Sequence, residues 1–174
     1  MTKKWYMLTV VGKDRPGIVA HITSALYEGG SQLGETSMLR LGENFAMMLM
    51  VEYEGKRKAL KHMLDPVLES MDLQGHVDVI AARLHRHIEP DVRITVSGAD
   101  RPGIVAKVTS ALAQAGLNIL NLDSDVAGTD SEPLYIMQIE GEARDGIDAV
   151  HSALESVRSE GIEVHLQPVD VVMG

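Results

Sequence analysis

The sequence predicts an α+β fold of two tandem units, each with the element order βαββαβ and with two helices on one face of a four-stranded antiparallel sheet. The segment Asp14–Leu26 returns as Asp100–Leu112 with eleven of thirteen positions identical. The copies lie 86 residues apart, which predicts two domains because solenoid repeats are only about 20–50 residues long. Strand segments in each copy alternate apolar and polar residues, so each sheet has one apolar face for helices to cover.

In the first copy, a strand from Trp5 to Val11 is followed by a loop at 12–17 and by a helix that Gly29-Gly30 ends. An extended segment and a strongly apolar strand then flank a short turn, which is typical of a hairpin. A helix with an apolar stripe and a fourth alternating strand complete the unit. In chain order, the extended segment, the turn, the apolar strand, the helix and the fourth strand lie at Gln32–Leu41, Gly42–Asn44, Phe45–Tyr53, 55–71 and Gln74–Ala82.

The second copy follows the same course, and its hairpin turn, around Gly128 to Pro133, is expected to be longer by three residues. Its predicted strands and helices lie at Val92–Ser97, 103–115, Asn118–Val126, Leu134–Glu140, 147–160 and Ile162–Gln167. We therefore expect a first domain at 1–84, a linker at 85–90 and a second domain at 91–174.

The duplicated loop has a physical interpretation of its own. Gly12 is expected to allow a tight turn, Pro16 to occupy the first helical turn, and Asp14 to cap the helix N-terminus. The second copy repeats these three residues as Gly98, Asp100 and Pro102. A loop that only starts a helix is one explanation, but the near-identity of the two loops favours a functional role.

Charge and composition exclude several classes of protein. The formal net charge is −9, and no local basic cluster is expected to offset it, so direct binding to nucleic acid is not predicted. No apolar run is long enough to span a membrane, and no signal-peptide cleavage site follows the N-terminus. The chain has no cysteine, which fits a reducing cytoplasm. We therefore expect a cytoplasmic protein.

The sequence shows no pattern for catalysis. We find no nucleophile beside a base, no phosphate-binding P-loop and no dinucleotide-binding glycine motif. The histidines at 62, 76, 85 and 87 are interpreted as solvated side chains, because a metal site needs three or four supported ligands. No enzyme activity, catalytic residue, metal or cofactor is expected.

One sheet face in each unit is left uncovered by helices. In the second copy it is predicted to be polar, whereas in the first Met7, Met48 and Met50 lie on the middle strands. Methionine is an adaptable side chain both in cores and at partner surfaces. Core packing is the more common role, but the first copy's open face is a second hypothesis for a docking surface.

A βαββαβ unit with the loop Asp-Arg-Pro-Gly-Ile-Val-Ala after its first strand resembles the ACT domain, a ferredoxin-like regulatory module of amino-acid metabolism. We expect two such modules to fill the chain, with no enzyme or DNA-binding domain attached. This arrangement is similar to the tandem-ACT family of glycine cleavage system transcriptional repressors. The loop motif is specific for the domain and less specific for this regulator family.

The resemblance implies where a ligand would bind. Amino-acid-binding ACT domains place the ligand beside the loop, at an interface between two modules, with a polar residue from the start of the second strand. That residue matches Asn118 in the second copy and Gln32 in the first. The matching loop positions are Gly12, Asp14, Pro16, Gly17 and Ile18, and in the second copy Gly98, Asp100, Pro102, Gly103 and Ile104. A carboxylate at 14 or 100 can pair with a ligand ammonium group but repels its carboxylate.

The resemblance also implies a function. It predicts a non-enzymatic regulator that senses a small amino acid, with glycine favoured, and acts through a protein partner such as a transcription factor. Open edge strands favour a homo-oligomer, because unpaired strand edges are a liability. Two alternatives stay open: a detached regulatory subunit of an amino-acid metabolic enzyme, and an interaction module without a ligand.

Overall fold

The computed structural model describes residues 3–81, 88–99, 102–129, 132–159 and 161–169. The chain divides into two compact units, Met1–His85 and Arg86–Gly174. Each contains a four-stranded antiparallel sheet and two helices, which confirms the α+β prediction. His85 and His87 of the expected linker lie outside the described residues.

The first unit follows the predicted order, with sheet order β2-β3-β1-β4. The second helix contains Pro66 and continues through it. The elements are β1 (Lys4–Lys13), α1 (Ile18–Glu28), β2 (Gln32–Leu41), β3 (Asn44–Tyr53), α2 (Arg57–Ser70) and β4 (Leu73–Ile80).

The second unit repeats this topology, with sheet order β6-β7-β5-β8. Its elements are β5 (Val92–Ala99), α3 (Ile104–Gln114), β6 (Leu117–Thr129), β7 (Glu132–Ala143), α4 (Ile147–Arg158) and β8 (Glu163–Pro168). Strands β6 and β7 pair as far as Thr129 and Glu132. The prediction of a longer turn is therefore wrong, because the additional residues lengthen the two strands of the hairpin instead.

Each unit has its own hydrophobic core between helices and sheet. Along α1, the buried residues Ile18, Ile22 and Leu26 recur at helical spacing and pack against the sheet. Along β3 the pattern alternates, since Met47 is 1% exposed and the next residue, Met48, is 50% exposed. The strand period therefore directs Met47 into the helix-side core and Met48 to the open face, but Met50, on the same face as Met48, is only 7% exposed.

The open sheet faces differ as the sequence predicts. In the second unit, Arg93 on β5 makes an ion pair of 2.6 Å with Glu140 on β7, and Ser97 donates a hydrogen bond to Glu163. In the first unit, Met7 is half-buried and Met48 is half-exposed. Among the described residues, no helix is long and apolar enough to cross a membrane.

Candidate ligand-binding loops

The loop before the first helix has the same backbone conformation in both units. Gly17 has φ 91° and ψ −6°, and Gly103 has φ 90° and ψ −2°. These angles are those of the third position of a type II turn, where proline is favoured at the second position and glycine at the third. Residues that carry a side chain rarely adopt a positive φ, so this position of the turn requires glycine.

The helices begin one residue after these glycines, at Ile18 and Ile104. The prediction that Pro16 and Pro102 occupy the first helical turn is therefore wrong. Proline fits both positions, because its fixed φ suits a helix start and the second position of a type II turn alike.

The prediction of a tight turn at Gly12 and Gly98 is also wrong, because both lie within strands. A Cβ atom on Gly12 would lie 2.5 Å from Leu73 Cδ2 and 3.2 Å from the carbonyl oxygen of Asp72. Gly12 is thus needed where β1 passes close to the start of β4. Gly98 has more room, since its Cβ would meet only Ile104 Cδ1, at 3.6 Å.

Asp14 ties the first loop to the β2–β3 hairpin. Its backbone N–H donates to the carbonyl oxygen of Glu43 at 2.8 Å, and its carboxylate lies 3.1 Å from Arg40 Nε. No side chain caps α1, so the predicted capping role of Asp14 is wrong. The carboxylate is a third exposed and points to the guanidinium instead. Asp100, the matching residue, lies outside the described residues.

His21 holds the first loop from the helix side. Its Nδ1 lies 2.7 Å from the carbonyl oxygen of Gly17, where a ring N–H donates to that oxygen. The same carbonyl accepts the backbone N–H of His21 at 3.0 Å. Lys107 occupies the matching position in the second unit, and its backbone N–H donates to Gly103 in the same way.

A depression of about 330 Å³ lies beside the first loop. Asp14 and Arg15 give it a charged side, and Met38 and Phe45 give it an apolar side. Residues 17–20, at the start of α1, complete the lining. The depression therefore offers charged groups and an apolar wall together, which suits a small zwitterion.

The strand-start residues lie far from the loop of their own unit. Gln32 pairs with Glu52, whereas Gly12, at the loop end of β1, pairs with Phe45. Seven strand positions separate these levels of the sheet, which is about 24 Å at the usual strand rise. In the second unit, Asn118 and Gly98 are separated by the same number of positions, since they pair with Glu142 and Tyr135. One unit alone does not bring the two parts of the predicted site together.

Three residues around the first loop escaped the sequence analysis: Met38, Arg40 and Phe45. The hairpin register shows why they matter, because Arg40 pairs with Phe45 and Met38 with Met47. In the second unit, the register places Val126 at the position of Arg40 and Ser124 at that of Met38. The sequence pattern predicts the hairpin, but the exact register of its two strands is needed to find these neighbours.

The fold and the loop geometry agree with comparisons to known proteins. A family model for the ACT domain matches residues 6–78 and 91–167, which is most of both units. The chain belongs to the ACT-domain family. The second match of this ACT family model includes β5, the Pro-Gly turn and α3, and the first match begins at the third residue of β1 and includes the turn and α1.

Two of the proteins similar to this ACT protein match most of its length. The glycine cleavage system transcriptional repressor of Escherichia coli (strain K12) is 24% identical over 132 residues, which cover 75% of this chain and 70% of the repressor. A crystal structure of an unknown protein from Galdieria sulphuraria is 26% identical, with a TM-score of 0.79 over 97% of this chain and 100% of that one.

A crystal structure assigned as a glycine cleavage system transcriptional repressor is 15% identical and has a TM-score of 0.73, covering 98% of this chain and 99% of that one. At this identity, the match shows the tandem fold. The family model and the repressor relative together support a regulatory ACT protein.

Proposed function

We propose that this chain is a non-enzymatic regulator that binds a small amino acid beside its Pro-Gly loops and acts through a protein partner. Glycine is the first candidate ligand, and a transcription factor of glycine cleavage or amino-acid metabolism is the first candidate partner. The similarity to the E. coli repressor supports both assignments.

The observation that carries the proposal is the left-handed glycine turn, which both units retain with φ within one degree. A glycine with positive φ leaves the backbone open to close approach, and a side chain there would strain the turn. The turn sits at the start of a helix, where backbone N–H groups and the helix dipole favour a carboxylate. An amino-acid carboxylate fits this position.

The proposed site is completed by a second module. Asn118 offers an amide donor and acceptor, as a zwitterion requires, but lies about seven strand positions from the loop level of its own sheet. A loop from one module and Asn118 from another would supply the full set of contacts. The proposal therefore includes assembly with another module.

We expect the second unit to bind more tightly than the first. In the first unit, Arg40 already neutralises Asp14, whereas the matching position in the second unit is Val126. The first unit also has Gln32 where the second has Asn118. A ligand ammonium group would therefore compete with the Arg40 guanidinium in the first unit.

The test is a thermal-shift screen of the full chain against all common amino acids, followed by calorimetric titration of the best ligand. Stabilisation is expected for a small amino acid, because a ligand that binds only the folded state raises its stability by mass action. Stabilisation by none of them at millimolar concentration would overturn the sensing role and favour an interaction module without a ligand.

The route to transcription has its own test. The purified protein alone should not shift an operator fragment at physiological salt, since a net charge of −9 opposes binding to phosphates. A sequence-specific shift by this protein without any partner would show that action through another protein is wrong.

A further inference from the structure

A basic surface lies at the start of α2. Lys56, Arg57, Lys58, Lys61 and His62 are all exposed there. Four of the chain's 16 lysines and arginines thus fall within six residues of a chain whose net charge is −9. The expectation that no basic cluster offsets the acidity locally is therefore wrong.

Three of these side chains face a shallow hollow between α2 and β4. Arg57, Lys58 and Lys61 line a depression of about 300 Å³ together with residues 75–77 of β4. None of the three forms an ion pair with a carboxylate in the described part of the chain, although other exposed lysines do, such as Lys13 with Glu43 at 3.4 Å. The helix N-terminus adds positive potential to that of the side chains.

The floor of the hollow is an edge strand. β4 is the last strand of the order β2-β3-β1-β4, so one side of its backbone has no partner within that sheet. His76 on β4 contacts Asp78 at 3.2 Å, so the uncompensated positive charge comes from α2. An extended peptide can add to such an edge through backbone hydrogen bonds, with alternate side chains on each face.

The second unit does not repeat this surface. We aligned α2 with α4 by their buried residues, with Leu60 matched to Val150. In this alignment, the positions of Arg57, Lys58 and Lys61 are occupied by Ile147, Asp148 and His151. Apolar, acidic and imidazole side chains thus replace the three cations, although the fold is the same. The basic surface is therefore a property of the first unit and not of the ACT fold.

We propose that β4 and the basic face of α2 form a docking surface for an acidic, extended segment of a partner protein. The segment adds as a strand to β4, and acidic side chains at alternate positions point to the helix layer and meet Arg57, Lys58 and Lys61. This inference rests on the proposed action through a protein partner. It specifies where on this chain the partner binds and which kind of segment the partner presents. It does not depend on the amino-acid ligand.

A peptide fits the surface better than a nucleic acid does. Among the residues that line the hollow, the only ring is the imidazole of His76, so the aromatic platforms on which single-stranded bases stack are missing there. The chain's net charge of −9 also repels a long polyanion, while a short acidic segment meets only the local cations.

The test measures binding of a short labelled peptide that alternates glutamate with threonine to the full chain at physiological salt, by fluorescence anisotropy. Saturable binding is expected for this peptide and at least tenfold weaker binding for its glutamine-threonine counterpart. The triple variant Arg57→Gln, Lys58→Gln and Lys61→Gln should weaken binding of the glutamate peptide at least tenfold. A matched triple glutamine variant removes the same charge elsewhere, at Lys4, Lys13 and Arg144. It should change the affinity for the glutamate peptide less than twofold.

Backbone pairing is tested with two N-methylated versions of the glutamate peptide. One carries methyl groups on the odd amides and the other on the even amides. Only one set faces β4 in a strand, so one version should lose binding and the other should retain it. Equal binding of both versions, no binding of the parent peptide, or tighter binding of a single-stranded oligonucleotide would overturn the proposal. The amino-acid screen is independent of every one of these outcomes.

Discussion

The two units carry the same turn in different surroundings. Gly17 and Gly103 differ by one degree in φ, yet the first turn is held by Asp14, Arg40 and His21. In the second unit the register offers Val126 in place of Arg40. The comparison separates what the Pro-Gly turn needs from what its neighbours add, since the two glycines keep the same backbone angles although Val126 occupies the register position of Arg40.

This difference has a consequence for function. A loop whose charge is satisfied within its own unit is stable without a ligand, whereas a loop without that partner gains more from binding an ion of opposite charge. The first unit carries instead a basic surface on α2 that the second lacks. We therefore expect the second unit to serve the small ligand and the first to serve the partner protein.

The largest expected effect concerns the separate cores. Leu64 on α2 and Leu154 on α4 are matching, fully buried residues. Replacing either by alanine should lower the free energy of unfolding by about 2–5 kcal/mol. Hydrogen exchange should show lost protection mainly in the mutated unit, because each core is built from that unit's own side chains. Equal loss in both units after either change would contradict this view.

The next effect concerns the turn itself. Gly17→Ala and Gly103→Ala should each lower the free energy of unfolding by about 1–2 kcal/mol, because a residue with a side chain is strained in left-handed backbone. Gly17→Ala should cost more, since its Cβ would lie 3.1 Å from the His21 ring, while a Cβ on Gly103 meets nothing within 4 Å. Chemical denaturation measures both.

Gly98→Ala is the control for the turn variants, because Gly98 lies in extended β5 and its Cβ would make only an ordinary contact of 3.6 Å. Its cost should be smaller than that of either turn variant. A Gly103→Ala variant as stable as the parent would show that the turn relaxes to another conformation.

The order of elements and the antiparallel sheets could be predicted from sequence because the duplication, the alternating strands and the glycine-ended helices all repeat. The residue at which the helix begins could not be predicted, since proline suits both a helix start and the second position of a type II turn. The partner of Asp14 could not either, because Arg40 approaches it only through the hairpin register. Such tertiary contacts leave no local pattern.

A moderate effect is expected at the strand starts. Asn118→Ala should weaken binding of the best amino acid by roughly three- to tenfold, since a net hydrogen bond contributes about 0.5–1.5 kcal/mol. Gln32→Ala should have a smaller effect, because the first unit is expected to bind weakly. Both are exposed or half-buried positions at strand starts, so neither change should lower the melting temperature much. Calorimetric titration that gives unchanged affinity for both variants would place the site elsewhere.

The smallest expected effect on stability comes from exchanging the residues that distinguish the loops. Arg40→Val removes the ion pair with Asp14, which is partly exposed, and such pairs contribute about 0.2–1 kcal/mol. Its effect on binding should be larger than its effect on folding, because the freed carboxylate can then accept a ligand ammonium group. Titration should show the first unit gaining affinity.

The reciprocal change, Val126→Arg, should weaken binding at the second unit, because a guanidinium at this register position is close to the loop end of its sheet. Lys61→Gln is the control, since Lys61 is exposed beside β4, at the opposite edge of the first sheet from Gln32 on β2. It should leave both affinities unchanged. If Arg40→Val and Val126→Arg shift affinity in the same direction, charge at this position does not distinguish the units, and the asymmetry must come from Asn118 and Gln32 alone.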